Sequence, residues 1–169
     1  GDVGWELWEL VYRIERGGNY GWSVVEGPQA IHLDWKRGPT PILPPVKAHP
    51  HSEAASVTGG YFYYGQKLTA LVGAYVYGDW VSGKIWALRS EGNKLLSLQE
   101  LVDTPLQIIC FGEDSSGELY VVDYGGGLYQ LEPNTAPSTH LTFPRKLSET
   151  GLFESVKLHV PAPGVIPFL

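Results

Sequence analysis

The residues able to do chemistry in this chain are few, and most of them read as structural. His49-Pro50-His51 offers two imidazoles close together, half of the four-ligand set that a structural zinc ion takes. No cysteine lies nearby, so the pair reads as loop histidines capping backbone groups near Thr58. His32 with Asp34, and His51 with Glu53, are spaced as acid–base pairs, but surface pairs of this kind are common. Glu113-Asp114 presents carboxylates beside carbonyls, as a calcium loop would. A solvated hairpin accounts for them better. Cys110 is the single cysteine and sits in the apolar run 106–111, so no intrachain disulfide or Cys-based zinc site forms and a buried, inert thiol is expected. These patterns assign no catalytic residue and no metal site.

The elements that must carry such residues are short. The 169 residues include 21 Gly and 13 Pro, placed between apolar runs, which excludes long helices and points to turn chemistry. An internal repeat organises them. Gly73-Ala74-Tyr75-Val76-Tyr77-Gly78-Asp79 recurs as Gly117-Glu118-Leu119-Tyr120-Val121-Val122-Asp123, and Asp79 to Asp123 and Gly83 to Gly127 are both 44 residues apart. All-strand repeats of about 40–50 residues mark β-propeller blades. Asp79 and Asp123 recur at one position of the repeat. Turn capping explains that better than catalysis, because a catalytic residue rarely recurs in each repeat.

Residues 75–77 and 119–122 have the β-branched and aromatic content of strands buried on both faces. Hairpins are expected around Ser90-Glu91-Gly92-Asn93 and Asp114-Ser115-Ser116-Gly117. Further strands are expected over 56–64, 7–15 and 22–25. Asn19, after Gly17-Gly18, is expected in a left-handed or turn conformation that aims Tyr20 and Trp22. The Pro-rich connection 27–56 has the length of a functional loop. The fold class is therefore all-β: a partial propeller of about three four-stranded antiparallel blades over 1–132. An irregular Pro-rich linker or tail follows over 133–169. There Pro133, Pro137, Pro144, Pro161, Pro163 and Pro167 break strands, and Ser148 is expected as a helix N-cap.

Net charge is −6 and no Lys/Arg run exceeds two residues, which argues against a nucleic-acid partner. No stretch reaches the ~18 apolar residues of a membrane span. Met is absent, so the chain is expected to be processed or part of a longer protein.

Several motifs then coincide in order: Asp2-Val3-Gly4, Gly17-Gly18-Asn19-Tyr20-Gly21-Trp22, Glu26-Gly27, Ser56-Val57-Thr58-Gly59-Gly60-Tyr61, Tyr77-Gly78-Asp79 with Ser82-Gly83-Lys84-Ile85, and Gly117-Glu118-Leu119-Tyr120. Together they resemble the C-terminal half of the glucose/sorbosone dehydrogenase-like family of six-bladed propellers. That family includes soluble quinoprotein sugar dehydrogenases and hedgehog-interacting proteins. Phe143-Pro144-Arg145-Lys146-Leu147-Ser148-Glu149-Thr150-Gly151-Leu152-Phe153 is similar to a segment following such propellers in some large bacterial proteins, ahead of a c-type cytochrome region. No Cys-x-x-Cys-His occurs, so haem is not assigned.

The resemblance implies a secreted sugar or alcohol dehydrogenase-like protein that passes a hydride to pyrroloquinoline quinone, with calcium as a second family cofactor. Tyr20 and Trp22 fall on family positions beside the cofactor, a stacking platform for a quinone or a sugar. The family's cofactor cations fall on Val81, Thr104 and Leu106, none of which is a cation, and its general-base histidine belongs to the other half of the domain. The isolated chain is therefore expected to be inactive. The alternative is a non-catalytic propeller that binds carbohydrate or protein. Open blade faces also suggest self-association.

Overall fold

The computed structural model describes residues 1–134 and 146–165, which divide into two units, Gly1–Pro133 and Asn134–Leu169. The first unit is a succession of small antiparallel sheets. β1 (Trp8–Val11) pairs with β4 (Lys47–Pro50), and its other edge is bridged by Asp2, which exchanges two backbone hydrogen bonds with Leu10. Between them lies the two-residue ladder of β2 (Val25–Glu26) and β3 (Gln29–Ala30). The central sheet is a four-stranded meander of β5 (Val57–Phe62), β6 (Tyr75–Asp79), β7 (Lys84–Glu91) and β8 (Lys94–Asp103). A third sheet follows, with β9 (Ile108–Glu113), β10 (Leu119–Asp123) and β11 (Leu128–Gln130). This is a partial propeller in which one blade has its four strands, the next has three among the described residues, and the first has a pair plus a bridge.

Period-two alternation on the central strands builds two cores. Val76, Ile85 and Ala87 turn toward the third sheet, where Ile108, Phe111, Leu119 and Val121 meet them with Tyr63, Leu71 and Ala74. Tyr77, Trp86 and Leu88, one residue out of phase, turn toward the first sheet and pack on Val11, Val46, Ala54 and Val57. Cross-strand registers keep the two sets apart: Val76 opposes Ala87, and Tyr77 opposes Trp86. Each fully buried apolar side chain of this size contributes roughly 1.5–3 kcal/mol.

Several expectations need correction. Cys110 is exposed. The ladder between β9 and β10 shifts register between Val122 and Asp123, so Ile109 is an extra residue, and both Ile108 and Phe111 point inward while Ile109 and Cys110 point out. The strand expected over 7–15 is paired only at Trp8–Val11, and the strand expected over 22–25 begins at Val25, after a turn closed by Val24 N–H on the Gly21 carbonyl at 2.7 Å. Asn19 is neither left-handed nor in the turn, which falls at Arg16–Gly17; it forms a parallel bridge with Ile42, and Gly17 and Gly21 hold the positive φ angles of that segment.

In the second unit Leu147–Glu149 form one 3₁₀ turn containing Ser148, in place of a helix capped by it, because Gly151 follows with φ of 73°. Phe153–Ser155 (β12) and Val160–Pro161 (β13) then form a short hairpin. A proline is tolerated in this two-stranded ladder because it needs only its carbonyl to pair. Pro137, Phe143, Pro144, Arg145 and Pro167 lie outside the described residues. No helix among the described residues is long and apolar enough to cross a membrane.

Candidate functional site

The meander places the start of β5, the β6–β7 turn and the end of β8 at one end of the central sheet. Matching segments of the third sheet lie beside them. Trp80 N–H donates to the Ser56 carbonyl and Tyr124 N–H to the Gln107 carbonyl, each at 2.8 Å. Asp79 and Asp123 do the same work in the two copies. Asp79 is fully buried; one oxygen accepts from Ala55 and Ser56 (3.0 and 2.6 Å), the other from Val81 and Ser82 (3.1 and 2.7 Å). Asp123 accepts from Gln107 at 2.8 Å and Gly125 at 3.2 Å. Each carboxylate ties the first strand of its sheet to the turn after the second, and the four bonds accepted by Asp79 leave it no lone pair for a ligand.

The same end holds the three residues at the family's cation positions. Val81 is exposed on the β6–β7 turn. Thr104 donates its hydroxyl to the Gly83 carbonyl at 2.7 Å and accepts from Leu106 N–H at 3.2 Å. Leu106 packs against the core shared by the central and third sheets. Gly83 has φ of 68°, and a Cβ there would collide with the Thr104 carbonyl, so the turn is closed on itself.

Tyr20 and Trp22 line a common cleft of about 260 Å³ with Asp2, Trp5, Tyr12 and Glu26. Trp22 is 63% exposed and Trp5 58%, and their rings meet edge to face at 6.1 Å. Tyr20 is committed differently. Its hydroxyl accepts from Glu15 N–H at 2.5 Å and donates to the Arg13 carbonyl at 3.3 Å, while its ring sits edge-on to Tyr12 at 5.0 Å. Burial, helped by Asp2 and Glu26, pushes the Tyr12 phenol up to about 12, so it stays protonated and donates to the Tyr20 carbonyl at 3.4 Å. The cleft thus presents two indole rings and two carboxylates, Asp2 and the buried Glu26. Its volume sits just below the usual ligand-pocket range of about 300–1,000 Å³, which suits a single ring.

What positions Trp5 is Glu26, which sequence reasoning did not single out. This buried carboxylate accepts from the successive amides of Trp5, Glu6, Leu7 and Trp8 at 2.7–3.4 Å. Burial alone would raise its pKa; the four amides outweigh that and hold it below the ordinary carboxylate range. Glu9, also missed, is fully buried and joins Gly4 N–H (3.1 Å), Val57 N–H (2.7 Å) and His51 Nε2 (3.1 Å). The signal for Glu9 was its place between Trp8 and Leu10 in an apolar strand; for Glu26 it was only the Glu-Gly dipeptide.

The expected acid–base pairs are rearranged. His51 meets Glu9, and Glu53 meets His49 across 3.0 Å while also accepting from Lys47 at 3.3 Å. His49 lies on β4, fully buried, with Nε2 at 2.8 Å from the Tyr77 hydroxyl. Burial chiefly pulls its pKa down, against the pull of Glu53. His32 stacks on Trp35 at 4.1 Å and has no pairing with Asp34 in the structure. Asp114 caps its own hairpin by accepting from Ser116 (2.8 Å) and Glu118 (3.0 Å). A larger groove of about 600 Å³ runs between the first and central sheets, lined by Tyr12, Arg13, Phe62, Tyr75 and Leu88 among others.

No family model matches the chain. Among curated proteins it is similar to the HIPL1 protein of Arabidopsis thaliana, 30% identical over 167 residues covering 79% of this chain and 24% of that protein. It is also similar to the HIPL2 protein of the same plant, 26% identical over 172 residues, covering 77% and 23%. The chain thus spans about a quarter of the length of these relatives. Two solved structures of glucose dehydrogenase share its fold. One has a TM-score of 0.50 at 21% identity, covering 69% of this chain and 36% of that chain. The other has 0.51 at 22%, covering 69% and 34%.

Proposed function

Because the chain belongs to the glucose/sorbosone dehydrogenase-like propeller family, we propose that it supplies the aromatic wall of a carbohydrate-binding mouth in an exported propeller. The observation that carries this reading is the exposed, edge-to-face pair of Trp5 and Trp22 over a cleft that also holds Asp2. An indole face packs on the C–H face of a sugar ring, and a carboxylate at the rim accepts its hydroxyls. The amide clamp on Glu26 keeps Trp5 in place without sugar present, which limits the ordering cost of binding.

Sugar oxidation by hydride transfer to pyrroloquinoline quinone is the family reaction that the resemblance implies. The described residues do not fit that quinone. Val81 is apolar, the Thr104 hydroxyl is spent on Gly83, and Leu106 is packed in the core, so none of the three offers a cation to its carboxylates. No hydride step is therefore derived for this chain.

The test is a tryptophan-fluorescence titration of the whole chain with a panel of aldoses and, separately, with pyrroloquinoline quinone. Saturable quenching by a sugar is expected, weakened about tenfold by Trp22→Ala, the scale of one aromatic contact. Equal responses from wild type and Trp22→Ala, or saturable binding of the quinone alone, would overturn the reading.

A further inference from the structure

The junction between the first and central sheets contains a row of oxidisable rings attached to a proton acceptor. Tyr75 and Tyr77 stack at 5.5 Å with 21° between their planes, Tyr77 and Trp86 lie 5.6 Å apart at 31°, and His49 lies over Trp86 at 4.6 Å. Phe62, half exposed, closes the row against Tyr75 at 5.4 Å. Tyr77 is fully buried, and its hydroxyl is 2.8 Å from Nε2 of His49. Nδ1 of the same ring is 3.0 Å from the half-exposed Glu53 carboxylate, which also faces Lys47.

We propose that Tyr77 is a proton-coupled redox site, the resting place for an oxidising equivalent that a one-electron outer-sphere oxidant introduces through Tyr75 or Trp86. The step balances as follows. The oxidant gains one electron, the hole moves along the stacked rings to Tyr77, and the phenol proton passes along the existing hydrogen bond to Nε2 of His49. The products are the reduced oxidant, a neutral Tyr77 phenoxyl and a His49 imidazolium. A one-electron reductant reverses the step, and the proton returns to the phenol oxygen.

Geometry makes Tyr77 the sink in preference to its neighbours. A phenol is hard to oxidise unless its proton leaves with the electron, so a tyrosine with a fixed base is favoured over one without. The Tyr75 hydroxyl instead accepts from Gly60 N–H at 2.9 Å. His49 is ready to act as that base. Burial chiefly holds it neutral, and with Nδ1–H donated to Glu53 the Nε2 lone pair is left for Tyr77. Burial likewise raises the Tyr77 phenol, so it is not ionised beforehand. Once formed, the imidazolium faces the Glu53 carboxylate, with Asp79 also favouring its charge and Lys47 opposing it.

The experiment uses azidyl radical, generated by pulse radiolysis of the whole chain in azide solution, as the one-electron oxidant. Indolyl and phenoxyl absorbances are followed, with freeze-quench electron paramagnetic resonance to identify the product. A first-order conversion of indolyl to phenoxyl is expected, independent of protein concentration and slower in deuterated solvent. Tyr77→Phe removes one oxygen and keeps the ring, and it should abolish that phase. Glu53→Gln, on a half-exposed side chain, should slow it. A phase unchanged in Tyr77→Phe, the absence of a solvent isotope effect, or no intramolecular phase at all would overturn the proposal. None of these outcomes depends on sugar binding.

Discussion

The central and third sheets share one sequence repeat and one backbone plan, yet they differ in what surrounds them. In both, an aspartate at the end of the second strand clamps the start of the first, and the same cross-strand pairing follows: Tyr77 opposes Trp86, and Val121 opposes Tyr129. In the central sheet both faces are covered, and Trp86 is 4% exposed. In the third, among the described residues, only one face is, and even on that face Tyr129, opposite the buried Val121 but on the last strand, is 46% exposed. A repeat therefore specifies the ladder and the turn, whereas burial is conferred by the neighbouring sheet. The comparison breaks most readily at those paired positions. Trp86→Ala should lower unfolding free energy by about 3–5 kcal/mol, the usual cost of emptying a buried aromatic site. Tyr129→Ala should cost less than about 1 kcal/mol. Urea denaturation of the whole chain measures both, and equal losses would show that the third sheet is covered by something else.

The clamping aspartates give the next largest difference. Asp79→Ala leaves four backbone amides in a buried turn without an acceptor, and a loss of roughly 3 kcal/mol is expected. Asp123→Ala strands two amides in a more open turn, and roughly 1 kcal/mol is expected because water replaces the carboxylate. Denaturant midpoints of the two variants, compared at neutral pH, check the ratio.

This pair also shows what was legible in the sequence. The 44-residue spacing of Asp79 and Asp123 marked the turns and strands correctly, because the pattern of β-branched and aromatic residues is local. It could not show that Asp79 is sealed and Asp123 is not, since that depends on what packs around each turn in the folded chain. The cleft was legible only through Tyr20 and Trp22. Trp5 reaches Trp22 through the Glu26 clamp, a contact across 21 residues for which no local pattern exists. The histidine pairing was misread for a related reason. His49 is on β4 and His51 lies just past its end, in the following turn, so the strand periodicity that would put them on one face is broken and they find different partners, Tyr77 and Glu53 for one and Glu9 for the other.

The two junctions of the central sheet should also titrate differently. His49, at the junction with the first sheet, has a folded pKa below its ordinary 6.5. The unfolded chain therefore takes up the proton first, and His49 favours folding fully only above about 6.5. That contribution is lost as pH falls from there toward the folded value. At the junction with the third sheet Glu118 carries the charge. Burial would raise it, but the Tyr63 hydroxyl and the amides of Gln66 and Lys67 outweigh burial and depress it. Its contribution is present above about 4.5 and is lost only as pH falls through the depressed value. Stability measured from pH 7.5 downward should therefore decline in two stages. His49→Gln should flatten the first stage, and Glu118→Gln the second.

The smallest effect lies on the open side of the third sheet. The bulge that sends Ile108 and Phe111 inward leaves Cys110 outside, opposite Val122, with Leu128 exposed on the adjoining strand. A thiol in that position contributes little packing, so Cys110→Ser should change stability by no more than about 0.5 kcal/mol. The same exposure makes it reactive. One thiol per chain should be modified by an aromatic disulfide reagent in the native state, at a rate near that of the denatured chain. In the central sheet the residue opposite Gly78 is Ile85, 1% exposed, and Ile85→Cys should be protected under the same conditions. Slow native labelling of Cys110 would mean that the open face is covered in solution. The distinction between a sheet buried on both sides and one buried on a single side would then disappear.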